Sequence, residues 1–162
     1  MALVTFTDKD FKQLIDWISC DELNYLWAGP TYSYPLTVQQ ITTHCDQPEV
    51  FPFLFQVSGR NAGFIELYRV ADDHYRICRV FIANEYRGHG LSKQMMANII
   101  VKAQVKFNCK LLSLAVFEHN IVAKNCYLAL GFDVVDTEIG TRVYKEKSWN
   151  LVRMQKQLLG QP

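Results

Sequence analysis

The rhythm of apolar and polar positions changes repeatedly along the chain, and each change predicts a different element. The apolar start ALVTF reads as a strand. Behind it Phe11, Leu14, Ile15 and Ile18 recur at the steps of one helix face, over roughly Asp8 to Ile18, with Thr7 and Asp10 spaced as a capping box at its start. DELNYLWAGP predicts a second short helix stopped by Gly29 and Pro30, TYSYP a loop, and Thr37 with Gln40 another capping box, opening a helix to about Cys45. The period then shortens to that of strands. Phe51 to Val57 and Ala62 to Val70 flank the turn SGRN as a hairpin, and ADD leads into a third strand, Tyr75 to Ile82.

From Leu91 the apolar positions Leu91, Met95, Ile99 and Ala103, with Met96, Ile100 and Phe107 beside them, predict a helix of about four turns. KLLSLAVF is short, unbroken and apolar, as in a strand covered on both faces. Asn120 suits the cap of a helix containing Ala123, Cys126, Tyr127 and Leu130, and Gly131 suits its left-handed end. FDVVD reads as a strand. One more, from TRVYKEKSW and WNLVRMQKQL, closes the chain, with Trp149, Leu151 and Met154 expected in the core. Strand, helices, meander, helix, strand, helix and two strands predict an α/β (α+β mixed) sheet with helices on both faces. No linker-like composition or repeat divides it, so a single domain over 1–162 is expected.

Composition removes several function classes. With 162 residues, 49% of them apolar, the chain can bury a core without staples. Five widely spaced cysteines without a CxxC predict free thiols and a reducing, cytoplasmic setting. The start MALVTFTDKD turns acidic too early for a signal peptide, and no window approaches the ~18 apolar residues of a membrane span. A net charge of +1, with bases interspersed among acids, argues against a nucleic-acid partner. The pair His44–Cys45 has no second pair near it, so no metal is expected.

The chemistry gathers in EYRGHGLSKQMM, where two glycines and a histidine separate a strand from a helix. Amides of Gly88 to Ser92 can point into one concavity at the positive end of that helix, with Arg87 adding charge and the glycines leaving the backbone bare. Such a nest suits a diphosphate. It has no GK[ST] ending, and the GxGxxG fingerprint is incomplete, so neither a P-loop nor a dinucleotide fold follows.

RVFIANEYRGHGLSKQMMANII resembles the signature of the GCN5-related N-acetyltransferase (GNAT) superfamily, Gln/Arg-x-x-Gly-x-Gly/Ala. Arg87, Gly90 and Ser92 occupy its defined positions, Ser92 standing where Gly or Ala is usual. LSLAVFEHNIVAKNCYLALGFDVV is similar to the strand, helix and strand that follow, with Asn120, Ala123, Tyr127, Gly131 and Phe132 at recurring positions. The likeness is strongest from about Ile65 to Val135, and its layout looks most like the branch of ribosomal-protein N-terminal acetyltransferases.

The resemblance implies an acyl-CoA N-acyltransferase fold, a six- to seven-stranded sheet splayed between its fourth and fifth strands, with acetyl-CoA as cofactor. It implies that backbone at Val80, Phe81 and Ile82 pairs with the pantetheine arm, and that an N–H near Ile82 meets the charge developing on the thioester oxygen. The loop of Arg87, Gly88, His89, Gly90, Leu91 and Ser92 would take the pyrophosphate. Asn120 and Ala123 would lie along the pantetheine, and Tyr127 would donate to the departing thiolate. The acceptor implied is a primary amine, a protein N-terminus or a small molecule. Tyr25, Trp27, Tyr32 and Tyr34 with Glu66 are candidates to select it, and Asp21, Glu22 and the rings would suit a cation.

The general base stays open. Phe64, Glu66 and Tyr68 share one strand face, so Glu66 is the base if that face lines the cleft and an ordinary strand acid if it faces water. His74 and His119, at strand ends, compete. An acetyl-cysteine route through Cys78 would need a depressed thiol pKa. The alternative class is a non-catalytic acyl-CoA-binding or interaction domain. A monomer or a homodimer is compatible with either, a strand from the tail being the edge that could pair subunits.

Overall fold

The computed structural model describes residues 1–158, so the last four residues of the expected domain lie outside the described ones. Seven strands form one sheet: β1 Ala2–Thr5, β2 Val50–Val57, β3 Arg60–Ala71, β4 His74–Ile82, β5 Leu111–Phe117, β6 Asp133–Glu138 and β9 Leu151–Gln157. Their spatial order is β1-β2-β3-β4-β5-β9-β6. All neighbours are antiparallel except β4 and β5. A small separate ribbon pairs β7 Val143–Tyr144 with β8 Lys147–Ser148.

Helices α1 Phe11–Trp17, α2 Asp21–Ala28 and α3 Val38–Cys45 cover one face; α4 Leu91–Phe107 and α5 Ile121–Ala129 cover the other. Strand alternation feeds both cores. Leu54 and Phe64 join Leu14, Trp27 and Ile41 on the first face, while Phe53, Phe55 and Ile65 join Met95, Met96 and Ile99 on the second. The stretch predicted as one helix from Asp8 opens with a 3-10 turn, Asp8–Asp10, before α1. There the Asp10 carboxylate accepts from the Thr7 N–H at 2.9 Å. At α3 only half of the expected box forms. The Thr37 hydroxyl accepts from the Gln40 N–H, but the Gln40 amide turns away to the Ser33 and Pro35 carbonyls and braces the preceding turn.

The tail departs from expectation. TRVYKEKSW supplies the outlying ribbon, whereas β9 inserts between β5 and β6 and pairs with both. The strand expected to offer an edge is therefore interior, because its alternating Val152 and Met154 complete the core under α4 and α5. The edge on this side of the sheet falls to β6, opposite β1 at the other end. Among the described residues no helix is long and apolar enough to cross a membrane.

What positions the site is an interruption in the sheet. β4 and β5 pair only at His74↔Leu111, Tyr75↔Leu112 and Arg76↔Ser113. Beyond that, Ile77 to Ile82 and Leu114 to Phe117 diverge, while β5 stays paired with β9 along its whole length. A wedge opens between two parallel strands, and the main-chain groups facing it are left without their ladder partners. On its other side β4 carries an extra residue: Phe64 pairs with Phe81 and Glu66 with Cys78, so Ile65 faces both Arg79 and Val80. Such a bulge bends and twists a strand, here away from β5. Gly63 lets β3 follow the bend, since a Cβ there would lie 2.5 Å from the Phe81 carbonyl oxygen.

Candidate active site

The bulge is held by buried charge. Arg79 sits at φ +52°, a left-handed conformation that costs a non-glycine residue roughly 1–2 kcal/mol. Its carbonyl accepts from Trp27 Nε1 at 2.9 Å, and its guanidinium donates to Glu66 Oε2 at 2.7 Å. Glu66, fully buried, also accepts from His44 Nε2, 3.0 and 3.1 Å from its two oxygens. Gln47 donates to His44 Nδ1, which leaves the proton on Nε2 and aims it at the carboxylate. Burial alone would raise the Glu66 pKa; the Arg79 charge and the hydrogen bonds from His44 and Arg79 outweigh it and bring it below the usual carboxylate range. Reciprocally, Glu66 keeps Arg79 charged against the burial that would deprotonate it.

Between the diverging strands lies a cavity of about 250 Å³, lined by β4 from Arg76 to Val80, β5 from Leu114 to Phe117, the α2 end from Leu26 to Thr31, and Asn120, Tyr127, Arg142 and Leu151. Tyr127 reaches it from α5, whose start is capped by the Asn120 side chain accepting from the Ala123 N–H. The Tyr127 hydroxyl makes no hydrogen bond among the described residues, and burial raises its pKa, so it stays a proton donor. Burial likewise lifts the Cys78 thiol to about 11, against a smaller opposing effect of Arg79. A thiolate there is scarce at neutral pH, which disfavours an acetyl-cysteine step.

At the mouth of the wedge the loop after β4 leads into α4 through two glycines with left-handed φ, +83° at Gly88 and +71° at Gly90. No atom crowds a Cβ at either, so it is the backbone conformation that calls for glycine. Gly90 is the N-cap and has no side chain with which to cap the helix, so the first-turn amides from Leu91 to Lys93 are free of a capping side chain at the positive end of a 17-residue helix. Arg87 turns back: its Nε donates to the Ile82 carbonyl at 2.9 Å and its guanidinium lies over the Phe81 ring. Free strand edges leading from an uncapped helix start fit an extended ligand with polar amides along its arm and a diphosphate at one end.

The other predicted residues are dispersed. Val80 lines the cavity; Phe81 and Ile82 are buried just beyond it. His89 is exposed, Leu91 is buried, and Ser92 is half-buried beside Cys126. Glu66 lies behind Arg79 and does not line the cavity. His74 bonds Ser113 Oγ at 2.8 Å, at the end where the strands still pair, and His119 is exposed against Phe117 and Trp149. Of the aromatics, Trp27 lines the cavity and Tyr25 stacks on the lining residue Phe117. Tyr32 is buried against Trp27 and His44 and faces a separate hollow, and Tyr34 is exposed, donating to the Ser19 carbonyl. Sequence reasoning passed over Arg76, Arg79 and Arg142. An arginine inside ICRVFI, with an acid at the centre of the neighbouring GFIELY, was the signal for a cross-strand pair.

The profile of the acetyltransferase (GNAT) family matches residues 11–132, and the chain belongs to that family. A 54-residue stretch, 33% of the chain, is 39% identical to the spermine/spermidine N(1)-acetyltransferase of Bacillus subtilis, and spans only 36% of the length of that relative. Among solved structures, the spermidine N-acetyltransferase of Vibrio cholerae in complex with CoA and spermine superposes with TM-score 0.84 at 14% identity, covering 96% of this chain and 94% of that one. A ribosomal-protein-alanine N-acetyltransferase from Brucella melitensis gives 0.78 at 15% identity over 98% and 100%. At such identities the likeness is one of fold. Because it reaches polyamine and ribosomal-protein enzymes alike, the expected leaning towards the ribosomal-protein branch is not singled out.

Glu66→Gln leaves Arg79 buried without its counter-ion, an expected loss of about 3–5 kcal/mol at pH 7. Because the folded-state pKa is depressed, the ionised pair stabilises in full above the unfolded value of about 4.3, and its contribution fades as pH falls through the folded one. Urea unfolding of wild type and variant should therefore differ most near neutrality, with the gap narrowing steadily as pH falls below about 4.3; a gap independent of pH would contradict this role.

Proposed function

We propose that the chain is an acetyl-CoA-dependent N-acetyltransferase acting on a primary amine by direct transfer. The observation that carries this reading is the abrupt end of β4–β5 pairing at Arg76 and Ser113, with a cavity between the freed edges that reaches Tyr127. Family membership and a Vibrio cholerae fold relative named for its complex with CoA and spermine support it.

In this reading the amides from Gly88 to Ser92 hold the diphosphate, the edge from Val80 to Ile82 pairs with the pantetheine amides, and Asn120 and Ala123 border the arm. Bound there, acetyl-CoA supplies an acetyl group activated as a thioester. An N–H of the freed β4 edge offsets negative charge developing on the thioester oxygen, in a cleft where water competes less. Tyr127, protonated through burial, gives its proton to the leaving sulfur. Trp27 and the bulge form the wall against which the amine is oriented, so that much of the acceleration comes from positioning.

The base follows from what lines the cavity. Glu66 is committed to Arg79 and His44, His74 to Ser113, and His119 lies outside; no carboxylate or imidazole is among the lining residues. Glu66 thus acts as a positioning residue for the bulge, and the acceptor ammonium gives its proton to water in the open cleft.

Acetyl-CoA at about a thousandfold excess over its Kd should stabilise the protein by about 4 kcal/mol, a thermal shift on the order of 10 °C. Gly90→Val, strained at its positive φ, should lose most of that shift; retention of the full shift would move the diphosphate elsewhere. Tyr127→Phe should lower kcat by about a hundredfold while changing acetyl-CoA affinity less than about threefold. Equal losses in both would make Tyr127 a packing residue.

A further inference from the structure

The charge of the cavity wall is one-sided. Arg76, Arg79 and Arg142 line it, and no aspartate or glutamate does. Three acids on neighbouring elements are already engaged. Glu66 is bound by Arg79 and His44. Glu138 takes Arg153 on one oxygen and the Thr141 hydroxyl on the other. Asp21 accepts from the Tyr144 hydroxyl at 3.2 Å.

The arginines are not equally committed. Arg76 lies over the Tyr68 ring, and Arg79 is spent on Glu66, although its Nε–H is buried without a protein partner. Arg142 is different. It stands on the connection between β6 and β7, its guanidinium about a third exposed, and its nearest carboxylate oxygen, on Glu138, is 3.8 Å away, beyond hydrogen-bond distance. This long ion pair holds it far less tightly than the 2.7 Å pair holds Arg79, so its guanidinium stays available on the cavity wall, and the rings of Tyr25, Phe117, Tyr144 and Trp149 pack together nearby.

We infer that the acceptor is an amine that also carries a carboxylate, an amino acid or amino-carboxylate, with Arg142 as the side chain that selects it. This rests on the acetyltransferase reading and narrows it. A guanidinium fork suits a carboxylate, to which it offers paired donors. A polyamine would bring several like charges against the same wall with no carboxylate to receive them, which discriminates against it by repulsion. Asp21 and Glu22, which together with the rings suggested a cationic acceptor, are exposed on α2 and line no part of the cavity.

The test compares amino acids with their own amides, which lack only the carboxylate charge, and with spermine. Two readouts are taken: the thermal shift each adds to the CoA-bound protein, and acetyl-CoA-dependent thiol release. Amino acids should stabilise the CoA complex where amides and spermine do not. Arg142→Gln should raise KM for the amino acid by about tenfold or more with kcat within about threefold, and leave the shift from CoA alone unchanged, which also reports that the variant is folded. Arg142→Glu should turn the preference towards spermine. Stabilisation by spermine in preference to amino acids, absence of any amino-acid effect, or an Arg142→Gln variant that binds amino acids as wild type does would each overturn the inference. Amino-acid binding abolished in Arg142→Gln, but without product from any amine, would uphold the ligand class and its recognition by Arg142 and refute the transferase reading instead.

Discussion

The structure turns on one buried ion pair. Arg79 can hold its left-handed conformation only because Glu66 fixes the guanidinium and Trp27 takes the carbonyl, and that conformation gives β4 its extra residue opposite β3. That bulge, on the side of β4 facing β3, bends β4 out of the plane it would share with β5. Charge buried at this depth is costly unless fully partnered, and here Arg79, Glu66, His44 and Gln47 form a chain across β4, β3 and α3. The cost is offset by what the pair specifies, a sheet with a gap at a defined place.

From that gap the remaining features follow in order. Strand edges without ladder partners can serve a ligand's amides; the helix start at the mouth can serve its diphosphate; α5 brings one tyrosine to the inner end. The same ion pair also removes Glu66 from the list of available bases, because a carboxylate held below its ordinary pKa by a cation at 2.7 Å is a poor proton acceptor. Shape and reactivity are thus set by one interaction, and the cavity it opens is lined by arginines and by no carboxylate.

How much of this was legible in the sequence depended on whether the signal was local. The meander, α4, β5 and α5 were readable because hydrophobic period, turn residues and caps agree within a few residues, as at Asn120 and Gly131, the latter at φ +91°. The glycine loop was readable for the same reason. The insertion of β9 between β5 and β6 was not, since strand order is decided by long-range packing of Val152 and Met154. Glu66 showed the limit most plainly. Alternation placed it on a face with Phe64 and Tyr68, but whether that face meets solvent, a cleft or an arginine one residue past its neighbour on the next strand is a tertiary fact. His44 and Arg142 carry no local mark at all; each acquires meaning from elements far away in the chain.

The claim that bare main chain in the wedge is the binding surface can be read directly by amide hydrogen exchange with and without CoA. The account predicts new protection at Val80 to Ile82 and at Gly88 to Lys93, with Tyr75 and Leu112, already paired, unchanged. Binding of CoA that leaves the exchange of those two segments unaltered would contradict it.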